Sequence, residues 1–220
     1  MGQPTEHPHG SGNIVATLRE RIANQELPSG IRLREEALSR EFGVSRGRIR
    51  EAFGALEARG LIERIPNRGA VVARLEAGQV EHLFHVREML EGLCARLATE
   101  RGKVAIWRKW RKDFGAPMDA DLAQERMDLY LARVEGLQGA IIEEAGNPIL
   151  RDILDGLQDK TRVLMRRMVI VPGRALQGLK EHRLLLEAMA RGDAGRAESL
   201  KRRNIRSARD AFLQYADFLL

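Results

Sequence analysis

The sequence predicts a mainly α-helical protein in two parts, an N-terminal winged helix-turn-helix (three helices plus a β-hairpin wing) followed by an all-α helical bundle. Three observations carry this expectation. Residues 12–75 hold three segments of helical periodicity separated by Gly-containing turns. Two short β-prone runs follow the third segment directly. From Glu76 onward, helical periodicity punctuated by Gly and Pro continues to the C-terminus. A chain of 220 residues suits two compact units, of roughly 70 and roughly 140 residues.

Residues 1–11 combine Pro, His and Gly without periodicity and are expected to form a flexible tail. Ile14, Val15, Leu18 and Ile22 recur at helical spacing, and Leu27-Pro28-Ser29-Gly30 ends that first helix. A second, short helix over 34–42 directs Ala37, Leu38 and Phe42 inward and closes at Gly43. Ser45 is a good N-cap for a third helix over 46–59, closed by Gly60, in which Ile49, Ala52, Phe53 and Leu56 share the docking face. The runs 61–65 and 70–74 read as strands around a four-residue turn, Pro66-Asn67-Arg68-Gly69, which makes a wing. The domain boundary therefore falls near Leu75, separating a winged helix-turn-helix domain over 12–75 from a domain over 76–220. In the latter, six helices are expected at 77–101, 104–114, 120–144, 148–168, 174–191 and 193–220.

Hydrophobic residues make up 44% and charged residues 31% of the chain, which argues for a folded protein. No apolar run is long enough to span a membrane and no leader pattern opens the chain, so a cytoplasmic protein without a membrane partner is expected. The single cysteine, Cys94, lies in the stripe Leu90, Leu93, Cys94, Leu97 and reads as a core thiol. The net charge of +6 permits a polyanionic partner. Residues 12–75 carry twelve Arg and eight Glu with no Lys or Asp, and Arg is the cation best shaped to bind phosphate and guanine in bidentate fashion.

With Ser45 as cap, Arg46, Gly47, Arg48 and Arg50 stand at the exposed N-terminus of the third helix, where its free amides add a phosphate site. Gly47 permits close approach to a groove, and Arg68 beside Gly69 at the wing tip is placed to reach the DNA backbone or minor groove. Alone, an Arg-x-Arg-x-Arg run reads as a solvated surface. The ordered succession of short helix, capped helix, hairpin and tip Arg instead points to double-stranded DNA.

Ile31-x-Leu33, Ala37-Leu38, Phe42-Gly-Val-Ser-Arg46, Ile49-Arg-Glu-Ala52, Leu56-x-x-x-Gly60-Leu-Ile62 and Gly69-x-Val71 together resemble the GntR family of bacterial regulators. The resemblance implies that Ser45, Arg46, Arg48, Arg50, Arg68 and Gly69 contact an operator. Glu36 departs from it, standing where many members carry Arg, and would repel phosphate. The C-terminal part resembles the FCD, or FadR-type, domain through Val86-Arg-Glu-Met-Leu-Glu91, Ala145-Gly-Asn-Pro148, Glu181-His182, Ala188, Gly192-Asp193 and Ala197.

That second resemblance implies a dimerising bundle that binds a small effector, commonly an organic acid, often at a divalent metal held by one Asp and three His. The four positions fall on Val134, Gln138, His182 and Asn204, so only His182 remains of the ligand set and no metal cofactor is expected. Gln138, His182 and Asn204 are instead expected to line a metal-free polar pocket, with Arg87, or Arg162 or Arg166, supplying charge for a carboxylate. The plainer alternative is that these are satisfied structural polar groups. His82 and His85, one turn apart, lack a third ligand, and Trp107 and Trp110 among basic residues read as a half-buried helix with snorkelling cations. The combined expectation is a homodimeric repressor that reads a pseudo-palindromic operator under the control of an organic acid. A non-specific architectural DNA binder and an enzyme built on the helical cavity are the alternatives. No nucleophile elbow, phosphate loop or His-Glu-x-x-His motif supports the enzyme, and none is expected.

Overall fold

The computed structural model describes residues 11–74 and 76–219; residues 1–10 of the expected tail lie outside the described residues. Its contacts divide the chain into two units. One comprises the residues up to Leu75 together with Gln158–Val163, and the other comprises Glu76–Leu157 with Leu164–Leu220.

In the first unit, α1 (Ser11–Ala23), α2 (Glu35–Phe42) and α3 (Arg46–Ala58) are followed by β1 (Ile62–Ile65) and β2 (Gly69–Val72). The first helix opens at Ser11, a residue the periodicity alone assigns to the tail. Ile14, Leu18 and Ile22 of α1 are buried with Ile49, Ala52, Phe53 and Leu56 of α3, each large side chain contributing roughly 1.5–3 kcal/mol relative to exposure. Ala37 is a correction, because it is exposed. Leu38 and Phe42 lie four residues apart on one face of α2, whereas Ala37 is turned about 100° away from Leu38. Within the same unit, Asp159 is buried and pairs with Arg19 at 2.7 Å and Arg59 at 3.1 Å, and Val163 joins the apolar core.

Strands β1 and β2 are antiparallel, with Ile62 opposite Val72 and Ile65 opposite Gly69. The connection is shorter than the four residues expected, because Gly69 already pairs as the first residue of β2. Arg68 N–H donates to Ile65 O at 3.0 Å, Pro66 occupies the second turn position, and Asn67 has φ +63° at the third, the requirement of a type II turn. Residues 30–33 add a third edge that the sequence did not reveal. Gly30 N–H donates to Val72 O, Val72 N–H to Ile31 O and Leu33 N–H to Ala70 O, and Arg32 bridges Val71. An alternation of only three residues is too short to read as a strand.

The second unit holds α4 (Ala77–Arg101), α5 (Val104–Asp113), α6 (Ala116–Ala123), α7 (Met127–Glu144), α8 (Pro148–Met168), α9 (Arg174–Ala190), α10 (Ala194–Gln214) and α11 (Ala216–Leu219). Two expected helices are each divided. Residues 124–126 leave the helix between α6 and α7, with Glu125 at φ +54°. Buried Asp121 fixes this corner by accepting from Arg126 at 2.7 Å and from Arg133 at 2.9 Å, and no Gly or Pro announces it. The last helix likewise ends at Gln214 before the short α11.

Side-chain caps set two of the starts. Asn147 Oδ1 accepts from Leu150 N–H at 3.1 Å, and Asp193 Oδ1 from Arg196 N–H at 3.0 Å. The core of this unit gathers Cys94, Trp107, Phe114, Met118, Leu137, Ile141, Leu186 and Met189. Trp110 is half-buried against it, while Arg108, Lys109, Arg111 and Lys112 stay exposed. Gly92 lets α10 lie close against α4, because a Cβ there would come within 2.5 Å of Arg202 Cγ.

Gly43, the C-cap of α2, has φ +64° and leads straight into the Ser45 cap of α3. Gly43→Ala should therefore cost about 1 kcal/mol through left-handed strain. Denaturant unfolding followed in the N-terminal unit checks this, and an unchanged midpoint would contradict it.

Candidate nucleic-acid interface and buried polar cluster

The exposed end of α3 is built by its cap. Ser45 is extended (φ −67°, ψ 153°), and its Oγ accepts from Arg48 N–H at 3.4 Å. Arg46, Gly47, Arg48 and Arg50 then emerge on the exposed face while Ile49 is fully buried on the other. No acidic residue occupies the first turn of α3, so the amide dipoles and the guanidiniums act in the same direction. The opposing charge comes from α2. Glu36 Oε1 lies 3.4 Å from Arg46 Nη2 and 3.7 Å from Arg40 Nη2, and Glu35 Oε2 lies 3.5 Å from Arg50 Nε. All of these pairs are well exposed, so they orient the arginines and add little stability. Arg48 makes no ion pair among the described residues.

Arg68 is exposed on the turn of the wing and Gly69 opens β2, within the same unit. Sequence reasoning noticed Glu36 and missed Glu35. The adjacent pair at the start of a short helix was the available signal, since carboxylates favour a helix N-terminus.

In the second unit, the four residues expected around an effector all lie in the interior or at its edge, and each bonds to another residue of the chain. Arg87 Nε on α4 donates to Glu91 Oε1 at 2.7 Å. Lys201 Nζ on α10 lies 3.0 Å from Glu91 Oε2 and donates to Gln138 Oε1 on α7 at 2.7 Å. Asn204 Nδ2 donates to Glu181 Oε2 at 2.7 Å, and Arg174 and Gln177 reach the same carboxylate at 3.2 Å and 2.9 Å. His182 Nδ1 lies 2.6 Å from Gly178 O, so Nδ1 carries the hydrogen and Nε2 is an acceptor.

The buried ions Glu91, Lys201 and Glu181, and the nearby Arg174, were missed as functional candidates. Glu91 and Glu181 were visible one turn after Arg87 and directly before His182, and Lys201 one turn before Asn204 on the same face of α10. Arg162 pairs with Glu20 and Arg166 with Asp128, so the cation that joins the cluster is Arg174. His82 and His85 are both exposed on α4, with His85 Nε2 at 4.0 Å from Glu81.

The cluster sets its own protonation states. Burial alone would raise the Glu91 carboxyl, but Arg87 and Lys201 hold it below its ordinary value. Burial likewise opposes Glu181, while hydrogen bonds from Ser207, Asn204 and Gln177 and the charge of Arg174 hold it low. Burial, with the charge of Lys201, pushes His182 down to about 4, leaving a neutral imidazole near pH 7. The Cys94 thiol is pushed up to about 12 by burial and by Glu91, as suits an inert core thiol.

The pattern of the gntR family of bacterial regulatory proteins matches residues 11–72, and that of the FCD domain matches residues 82–207. The chain belongs to the GntR family, in the group carrying an FCD domain. It is 25% identical over 215 residues to the HTH-type transcriptional regulator LutR of Bacillus subtilis strain 168, covering 88% of this chain and 97% of that protein. Over 116 residues it is 36% identical to the HTH-type transcriptional repressor RspR of Escherichia coli K12, about half of each protein (46% and 51%). The solved structure of E. coli McbR/YncC superposes with a TM-score of 0.76 at 18% identity, covering 93% of this chain and 98% of that one, a likeness of fold.

This GntR-family protein is thus a helix-turn-helix transcription regulator with an FCD domain. The metal ligand set implied for that domain does not fit the side chains present. Val134 is apolar, Gln138 Oε1 is taken by an ammonium, and the Asn204 amide donates to Glu181. Among the described residues, no group of three or more His, Cys, Asp or Glu side chains is disposed to hold a metal ion.

Since an unfolded histidine titrates near 6.5 and folded His182 only near 4, the unfolded chain takes up a proton first as pH falls through that window. His182 should therefore withdraw about 2 kcal/mol of stability between pH 7 and pH 5, above the range where the depressed carboxylates titrate. Denaturant melts of wild type and His182→Gln check this, because the variant should lose that slope. An identical pH dependence in both proteins would contradict it.

Proposed function

We propose that the chain is a homodimeric, cytoplasmic repressor that reads a pseudo-palindromic operator and releases it when a small organic acid binds, without metal, in the FCD domain. The observation that carries the effector reading is the charge of the interior cluster. Arg87, Lys201 and Arg174 face only Glu91 and Glu181, leaving one positive charge in surroundings where an unbalanced ion is costly. A monoanion restores the balance. The neighbouring Glu88 is already answered by Arg202 and Arg206.

Binding of the acid weakens operator affinity to the extent that the ligand prefers an arrangement in which the recognition helices fit DNA poorly. Exposed Val86, Met89 and Leu93 form a stripe along α4 that suits pairing with a second copy. No described helix is long and apolar enough to cross a membrane. The cluster offers polar contacts and no activated nucleophile, which favours recognition over turnover. The name of RspR as a repressor supports the sign of regulation proposed.

Selection of duplexes from a random-sequence library with the purified full chain tests operator reading. The expected product is an inverted repeat with half-sites about one helical turn apart. Affinity that is equal for all sequences would support an architectural binder instead. On the selected site, Arg48→Ala should weaken binding by about 1–3 kcal/mol. Glu36→Arg should tighten it about fivefold at low salt by releasing Arg46 and Arg40 and adding a phosphate contact, with a steeper salt dependence. Unchanged affinity on Glu36→Arg would refute the role given to that carboxylate.

A further inference from the structure

We propose that Lys201 is a tethered cation standing where related FCD domains hold a divalent metal, and that its ammonium receives the carboxylate of the effector. This rests on the effector reading above and adds to it the group that binds the acid.

The geometry points to a seat for a cation. The Lys201 side chain is only 5% exposed, and its Nζ sits between Glu91 Oε2 at 3.0 Å and Gln138 Oε1 at 2.7 Å. Gln138 occupies one of the positions at which the FCD resemblance places a metal-binding His. Asn204, at another, follows Lys201 by one turn on the same buried face of α10. One ammonium thus stands against one of the four positions of that set.

The same geometry leaves that cation with unused capacity. An ammonium has three N–H groups, and here one serves Gln138 and one faces Glu91. Glu91 Oε2 is an ion-pair contact rather than a hydrogen-bond acceptor, so Gln138 is the one hydrogen-bonded acceptor of Nζ among the described residues. Glu91 does not neutralise Lys201 alone, because it also answers Arg87 at 2.7 Å. A buried cation with an unfilled donor and a shared counter-ion calls for an anionic oxygen, and a carboxylate gives it a short charge-assisted hydrogen bond. Because the cation is part of the chain, acid binding needs no metal supply.

Calorimetry with Mn2+ and Zn2+ tests the seat on the full chain in three forms: wild type, a variant with Val134→Asp, Gln138→His and Asn204→His, and that variant with Lys201→Ala added. No binding is expected in wild type. Removing Lys201 should tighten metal binding by the donor-restored chain by about tenfold or more, since an ammonium in the seat repels a divalent ion. Equal affinity with and without Lys201, or no binding in either donor-restored form, would overturn the proposal.

The single variant Lys201→Gln gives a second reading that does not depend on those multiple substitutions folding. Thermal stabilisation by acetate and glycolate in the presence of chelator tests the carboxylate half. It should be lost in Lys201→Gln and kept in Lys201→Arg, and stabilisation indifferent to Lys201→Gln would overturn it. If neither acid stabilises wild type, the effector reading and the carboxylate half fall together, while the metal results still decide the seat.

Discussion

The second unit is organised around the carboxylate of Glu91. It is 3% exposed on α4, and it draws Arg87 from its own helix and Lys201 from α10, while Lys201 in turn holds Gln138 on α7. Three helices are thereby committed to one electrostatic arrangement. Removing either partner of such a pair strands an ion in the interior, at a cost of about 3–5 kcal/mol. Replacing the whole group with well-packed apolar side chains would be neutral or stabilising by the same reasoning, so stability alone does not account for it. The Glu181 group with Arg174, Gln177 and Asn204 extends that polar interior onto α9.

The surface proposed to face DNA uses the same chemistry under opposite conditions. Glu35 and Glu36 touch Arg50 and Arg46 at 3.5 Å and 3.4 Å, but in water these contacts are weak and can be exchanged for phosphate. The arginines are held ready without being consumed. What must be rigid there is the backbone, and the Gly43 turn and the Ser45 cap make it so. Burial separates the two groups of ion pairs: the exposed pairs are weak and exchangeable, whereas the interior pairs hold a fixed pattern of donors and acceptors.

The parts legible in the sequence were those decided locally. Gly102 marks the end of α4 (Ala77–Arg101), Pro148 and Pro172-Gly173 bracket α8 (Pro148–Met168), and the Ser45 cap places Arg46, Arg48 and Arg50 on the exposed face of α3. The break between α6 and α7 was hidden because Asp121 makes it by gathering Arg126 and Arg133, a pairing with no local signature. The wing's third edge was hidden for a similar reason, since three residues carry no usable period. In the interior, Gln138, His182 and Asn204 stood out through resemblance to a metal set. Their actual partners come mostly from other helices or other turns, and spacing along one helix does not announce Lys201 meeting Gln138 across 63 positions.

On the function proposed above, a small acid controls this regulator through a cationic interior without metal. The most direct measurement follows operator affinity of the purified full chain as small carboxylic acids are added, once with chelator and once with Mn2+. The account predicts that an acid which weakens operator binding does so equally in both conditions. Release that occurs only with metal, or operator affinity indifferent to every acid, would contradict it.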